Sequence, residues 1–295
     1  MITVALGLGL AACSNSDQSG PEAAAPDDGG NQPVEQPGVT DTEIRVGGVA
    51  SRTNDLGTDY GAIFDGANAY FEMLNSEGGI YGRDIELVSE RDDMQSNNQA
   101  EVQGLLAQDD LFAVLPVGTL LFSGAPLLTE AGVPTFGWNV NPEWNDGENL
   151  FGNVGYICFD CPSVKLPWIA KTLDAERIGV LAYAIPQSSD CAESFAQSLV
   201  RYPTAELVVD DRSLPFGVTD LSADVARMKD ADVDLVATCM DQNATLTLAQ
   251  EMRRQNLDAV QYLSNAYDHE FIAEYGELFE GSLVTTPFAP FETEN

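Results

Sequence analysis

Positive charge is what this chain has least of. Its 295 residues include 13 Lys and Arg against 47 Asp and Glu, a net charge of −34, and the lysines number three: Lys165, Lys171 and Lys229. Such a chain repels polyanions, which excludes nucleic acid and anionic lipid surfaces as partners. Histidine is almost absent too. His269 stands alone, so His-rich metal sites are ruled out and a single residue is left to serve any His-based triad. No Gly-x-Ser-x-Gly elbow occurs, which argues against a common hydrolase arrangement. No apolar run reaches the roughly 20 residues that a transmembrane helix needs. Neither a cofactor nor a metal is expected, and the chain is not expected to be an enzyme.

The apolar run that opens the chain, Ile2 to Ala12, ends in Leu10-Ala11-Ala12-Cys13 and gives way at once to Ser14-Asn15-Ser16-Asp17. Its length suits a signal-peptide core. The four residues ending in Cys13 resemble a bacterial lipobox, which implies cleavage before Cys13 and acylation of the new N-terminus. Met1 leads directly into apolar sequence with no basic start, so the true signal is expected to begin earlier. Residues 14–38 are rich in Ser, Pro, Gly, Asp and Gln and contain no aromatic residue. Such a segment cannot bury enough apolar surface to fold. The reading is a signal peptide and lipobox over 1–13, a disordered linker over 14–38, and an extracytoplasmic body held at the membrane by a lipid on Cys13.

With Cys13 set aside, four cysteines remain: Cys158, Cys161, Cys191 and Cys239. Outside the cytoplasm an even set implies two disulfides, and four cysteines allow three pairings that the sequence does not choose between. Cys158–Cys161 with Cys191–Cys239 is favoured, because the second pair falls just beyond two strands expected side by side. A redox-active Cys158-Phe159-Asp160-Cys161 is the competing reading. It lacks the helix N-terminus that lowers a thiol pKa, since Pro162 follows and Phe151 to Ile157 reads as a strand.

From Val39 onward, strand-like and helix-like segments alternate. Ile44–Ala50, Ile85–Val88, Phe112–Val117 and Val133–Gly137 read as strands. Between them lie helices near Tyr60–Ser76, Ser96–Gln108 and Phe122–Ala131; the first places Tyr60, Ile63, Phe64, Ala67, Phe71 and Leu74 on one face. The pattern restarts with helices near Ser163–Leu173, Asp190–Arg201, Asp220–Lys229, Asn243–Asn256 and Glu270–Tyr275. These alternate with strands Arg177–Tyr183, Glu206–Val209, Val233–Thr238 and Val260–Ser264. The fold class is α/β, two doubly wound parallel-sheet units in series. Ligand chemistry then belongs on the loops after the strands.

Several stretches resemble one family, the type I periplasmic solute-binding proteins of branched-chain amino-acid ABC transporters. They are Gly38-Val39-Thr40-Asp41-Thr42-Glu43-Ile44-Arg45-Val46-Gly47, the motif Asn75-Ser76-Glu77-Gly78-Gly79-Ile80-Tyr81-Gly82-Arg83-Asp84-Ile85-Glu86-Leu87, the pair Asp92-Asp93, Gly118, Gly132-Val133-Pro134, Val233-Asp234-Leu235-Val236, and Phe279-Glu280-Gly281-Ser282-Leu283-Val284. The resemblance implies two lobes joined by a hinge, residues 39–157 and 158–284, that close on a small-molecule solute, with 285–295 starting a crossover back to the first lobe. Family members continue further, so a C-terminally incomplete chain is expected, with apolar surface of the first lobe left uncovered.

Carried over position by position, the resemblance puts Tyr60, Leu121, Phe122 and Ser123 on the pocket, with Ser123 as the ligand's carboxylate contact. The family's small pocket-floor residue becomes Trp138, its supporting threonine becomes Val140, and the acid that pairs with the ligand's ammonium becomes Ala266. Asp241 or Asp268 is then expected to supply the charge, and Trp138 or Tyr267 a stacking surface. Asp241 also reads as a helix cap. The implied function is to deliver an amino-acid-like or amide- or urea-like solute to a membrane ABC permease. The alternatives are a solute-sensing subunit of a signalling system and a thiol-disulfide enzyme using Cys158 and Cys161.

Overall fold

The computed structural model describes residues 33–108, 110–153, 158–264, 266–286 and 288–293. The signal peptide, Cys13, most of the linker and positions 154–157 of the expected strand lie outside them.

Strands β1 (Glu43–Ala50), β2 (Asp84–Asp92), β3 (Ala113–Gly118), β4 (Thr135–Gly137) and β5 (Leu150–Gly152) form one sheet, ordered β2-β1-β3-β4-β5. A second sheet, ordered β10-β9-β8-β6-β7, contains β6 (Arg177–Tyr183), β7 (Glu206–Leu214), β8 (Leu235–Cys239), β9 (Val260–Leu263) and β10 (Leu283–Val284). Neighbouring strands run parallel throughout both sheets. In each sheet the second strand lies on one side of the first and the third on the other. The order therefore reverses at β1/β3 and again at β6/β8, and such reversals open a crevice beyond the C-terminal strand ends.

The central strands are short apolar runs because helices cover both of their faces; all five residues of β8 are buried. The edge strands β2 and β7 run further than their apolar residues suggest. One flank of each is open, so charges are tolerated: on β7, Arg212 pairs with Asp210 at 2.6 Å and Arg227 pairs with Asp211.

Among the described residues, eight α-helices connect the strands: α1 (Ile63–Ser76), α2 (Asn98–Leu106), α3 (Ala125–Ala131), α4 (Lys165–Thr172), α5 (Pro186–Arg201), α6 (Ser222–Asp230), α7 (Gln242–Gln255) and α8 (His269–Tyr275). Ahead of α1, Tyr60–Ala62 forms a 3-10 turn. Its tighter winding shifts the phase of α1, so Phe64 is fully buried while Ile63, expected on the same face, is 42% exposed. Phe64 fits because Gly48 of β1 has no side chain; a Cβ there would sit 2.4 Å from the ring. The glycine motif after α1 makes a tight turn in which Ile80 and Arg83 exchange backbone hydrogen bonds at 2.8 and 3.1 Å. Gly79 has φ +65 and packs on the Arg83 carbonyl, where any Cβ would clash. α5 begins at Pro186, four residues before the expected Asp190, because proline is preorganised for the first helical position.

The first sheet buries Val49, Leu105, Phe122, Leu128 and Trp144 in one cluster. The second has a cluster on each face, one around Leu181, Val236 and Leu248 and the other around Ile178, Leu235 and Tyr262. Phe136 of β4 and Phe151 of β5 stack at 5.0 Å while remaining 43% and 48% exposed. Among the described residues, no helix is long and apolar enough to cross a membrane.

Candidate functional site

A cavity of about 680 Å³ opens where the strand ends of the two sheets meet, a volume suited to a small organic ligand. Its wall is assembled from loops that follow the strands. Leu56 and Tyr60 come after β1, Leu120 after β3 and Trp138 after β4; Gln187 follows β6, Phe216 follows β7, Asp241 follows β8 and Tyr267 follows β9. Both sheets contribute, and hydrogen bonds cross between their loops. The Gln187 amide donates to the Leu120 carbonyl at 3.0 Å, and the Asn243 amide donates to the Leu56 carbonyl.

Four residues expected on the site therefore line it: Tyr60, Trp138, Asp241 and Tyr267. Tyr60 and Trp138 stack, with ring centroids 5.9 Å apart and planes 18° from parallel. Asp241, 5% exposed, caps α7 by accepting the Asn243 N–H at 2.9 Å on Oδ2 and takes the Tyr183 hydroxyl on Oδ1. Burial raises the pKa of both Tyr60 and Tyr183, and the adjacent Asp241 charge pushes in the same direction. Both phenols are thus neutral, and the single Tyr183 proton is committed to Asp241. Tyr267 accepts the Phe291 N–H at 2.6 Å and donates to Glu292 at 2.7 Å. Asp268 is occupied as the cap of α8, accepting from Phe271 N–H at 2.8 Å.

Leu121, Phe122 and Ser123, expected on the wall, do not line the cavity. α3 starts at Ala125 rather than Phe122, so these three lie in the turn before it. Phe122 turns into the core, 1% exposed and 4.8 Å from Trp144, and Ser123 faces solvent. Leu120 reaches the cavity instead. That turn is held by a buried polar network that no local sequence pattern locates. The Ser51 hydroxyl donates to Asp93 at 2.7 Å and accepts the Leu120 N–H at 3.1 Å. Asn98 donates to the other oxygen of Asp93 at 3.0 Å and accepts the Gly124 N–H at 2.8 Å. Burial pushes the Asp93 carboxyl above the usual range, against the hydrogen bonds from Ser51, Asn98 and the Gln95 backbone. Tyr183 and Phe216, edge-to-face at 5.1 Å, also escaped the sequence reading, although Tyr183 ends a strand and the strand-end rule points to it.

Disulfides join Cys158 to Cys161 and Cys191 to Cys239, with Cα separations of 5.4 and 6.1 Å. The second pins the end of β8 to α5 on the cavity wall. Among the described residues, the one group with metal-ligand proximity is Cys158, Asp160 and Cys161, and both of its sulfurs are in the disulfide.

Residues 43–295 match the model of a family described as periplasmic binding protein. The chain belongs to this family. Among solved structures it is similar to a type 1 periplasmic binding protein from Bordetella pertussis Tohama I, with 21% identity and a TM-score of 0.67 over 82% of this chain and 68% of that one. It is also similar to the branched-chain amino acid transporter substrate-binding protein LivJ from Streptococcus pneumoniae in complex with isoleucine, with 22% identity and a TM-score of 0.65 over 79% and 67%. A solute-binding protein of an ABC transporter from Rhodopseudomonas palustris HaA2, in complex with p-hydroxybenzoic acid, gives 17% identity and a TM-score of 0.63 over 75% and 61%. No match was found among curated proteins. The fold is that of a type I periplasmic binding protein, and membership implies an extracytoplasmic location. Within this periplasmic binding protein, Val140 and Ala266 both line the cavity, so the positions expected to depart from the family pattern are on the wall.

Proposed function

We propose that this periplasmic binding protein is the substrate-binding component of an ABC transporter. It traps a small amino-acid-like or amide- or urea-like solute as the two lobes close, and passes it to a membrane permease without altering it. The observation that carries this reading is a cavity walled by strand-end loops of both sheets, with Tyr60 and Trp138 on one side and Tyr183 and Asp241 on the other. A ligand held there contacts both lobes, which is the condition for closure to be driven by binding. Tyr60, Trp138, Asp241 and Tyr267 are the residues assigned to the solute. A lipid on Cys13 tethers the body to the membrane, through more than one acyl chain because one binds only marginally.

The test is a thermal-shift series over amino acids, amides, urea and small aromatic acids. A true ligand at about 100 times its dissociation constant adds about 2.7 kcal/mol to stability, and Trp138→Ala removes the shift. A shift that survives Trp138→Ala undiminished refutes the assignment. For the anchor, Cys13→Ser is expected to move the protein from the membrane fraction to the soluble one; continued membrane retention refutes it.

A further inference from the structure

The cavity is unbalanced in charge. Among its described lining residues Asp241 is the one acid and Lys165 the one base. Asp241 is 5% exposed. Lys165, at the start of α4, is exposed, so water and salt screen its ammonium while the carboxylate keeps its field. A carboxylate has about four acceptor sites. Here the Asn243 N–H takes one on Oδ2 and the Tyr183 hydroxyl one on Oδ1, and neither donor carries a formal charge. Around this carboxylate the wall is aromatic: the Tyr60–Trp138 stack, with Tyr183 edge-on to Phe216. Ring faces attract cations, most strongly where water is excluded.

We propose that the solute is a cation whose ammonium or quaternary ammonium group sits between Asp241 and the Tyr60–Trp138 pair, with no carboxylate required. This rests on the reading of the site as a solute trap, keeps the ammonium of an amino-acid-like solute, and sets aside the neutral amide- and urea-like ones. An anion entering the cavity meets the Asp241 carboxylate, with only a screened lysine to offset the repulsion. A neutral solute leaves that carboxylate without a counter-charge when the cavity closes, and burying an uncompensated charge is costly. A cation removes both penalties, and the net charge of −34 raises its concentration near the protein. Capping α7 does not account for the charge, because asparagine caps helices as well as aspartate does.

The test holds the ring constant and varies the charge, titrating the purified protein with benzylammonium, benzyltrimethylammonium, benzyl alcohol and benzoate by calorimetry. The cations are expected to bind roughly tenfold or more tighter than benzyl alcohol, as suits a contact with a charged group, and benzoate not detectably. In Asp241→Asn, which keeps the cap, the cations lose their advantage over benzyl alcohol and fall to its affinity. Benzoate binding as tightly as the cations overturns the proposal and leaves solute binding intact, as does equal affinity across the series or an Asp241→Asn variant that binds cations normally. The series on the unaltered protein decides the matter even if the variant fails to fold. No binding by any of the four, together with a flat thermal-shift panel, overturns both readings.

Discussion

Ser51 is fully buried at the end of β1, where its hydroxyl ties a buried carboxylate to the turn that carries Leu120 to the cavity. Ser51→Ala removes the hydroxyl from both. Asp93 loses a hydrogen bond to a charged group, about 2 kcal/mol, and the Leu120 amide is left without a partner, about 1 kcal/mol or more. The expected loss is about 3 kcal/mol, which at about 2–4 °C per kcal/mol for a domain of this size lowers the melting temperature by about 6–12 °C. Urea unfolding followed by far-UV circular dichroism measures it directly, with the midpoint falling and the slope unchanged. Solute affinity is expected to fall as well, since the Leu120 carbonyl that accepts from Gln187 belongs to the released turn. A loss below about 1 kcal/mol, the size of an ordinary substitution, would refute the claim that this network holds the turn.

Asp93 itself gives a pH signature. Its carboxyl is raised by burial, whereas in the unfolded chain it titrates in the ordinary range. Between the two values the native state holds the extra proton, so the stabilisation from this group is full below the ordinary carboxylate value and is lost as pH rises through the raised one. Asp93→Asn should remove that slope from melting curves taken between about pH 3 and 7; an unchanged slope assigns it to other carboxyls. Gly48→Ala places a methyl where the Phe64 ring lies and should cost about 1–3 kcal/mol by overpacking, read by urea denaturation, while a neutral result would mean the ring can withdraw. Replacing Cys191 and Cys239 together by alanine opens a loop of 48 residues and should lower stability by about 4 kcal/mol in the chain-entropy account. The Cys158–Cys161 pair closes only three residues and should cost less when removed.

The alternation of apolar strands with amphipathic helices was enough to establish the fold class, because central strands covered on both faces must be apolar and short. The glycine motif at 78–82 was equally legible: Gly79 stands where only a residue without Cβ fits against the Arg83 carbonyl. The reach of β2 and β7 was not, since charges on an edge strand read as loop until the open flank is seen. The start of α3 differs from the sequence expectation for a local reason. Phe122 has the right spacing for a helix face, yet it belongs to a turn that Ser51 and Asn98 hold from β1 and α2. That difference of three residues moves Leu121, Phe122 and Ser123 off the cavity wall.

What the sequence determined unaided was therefore a periodicity and a charge: two parallel α/β units and a surface hostile to anions, both set by residue types along the chain. The cavity was decided by the tertiary structure. Tyr60, Trp138, Tyr183 and Asp241 are separated by dozens of residues and come together because the strand order reverses in each sheet, a consequence of long-range pairing that no local pattern encodes.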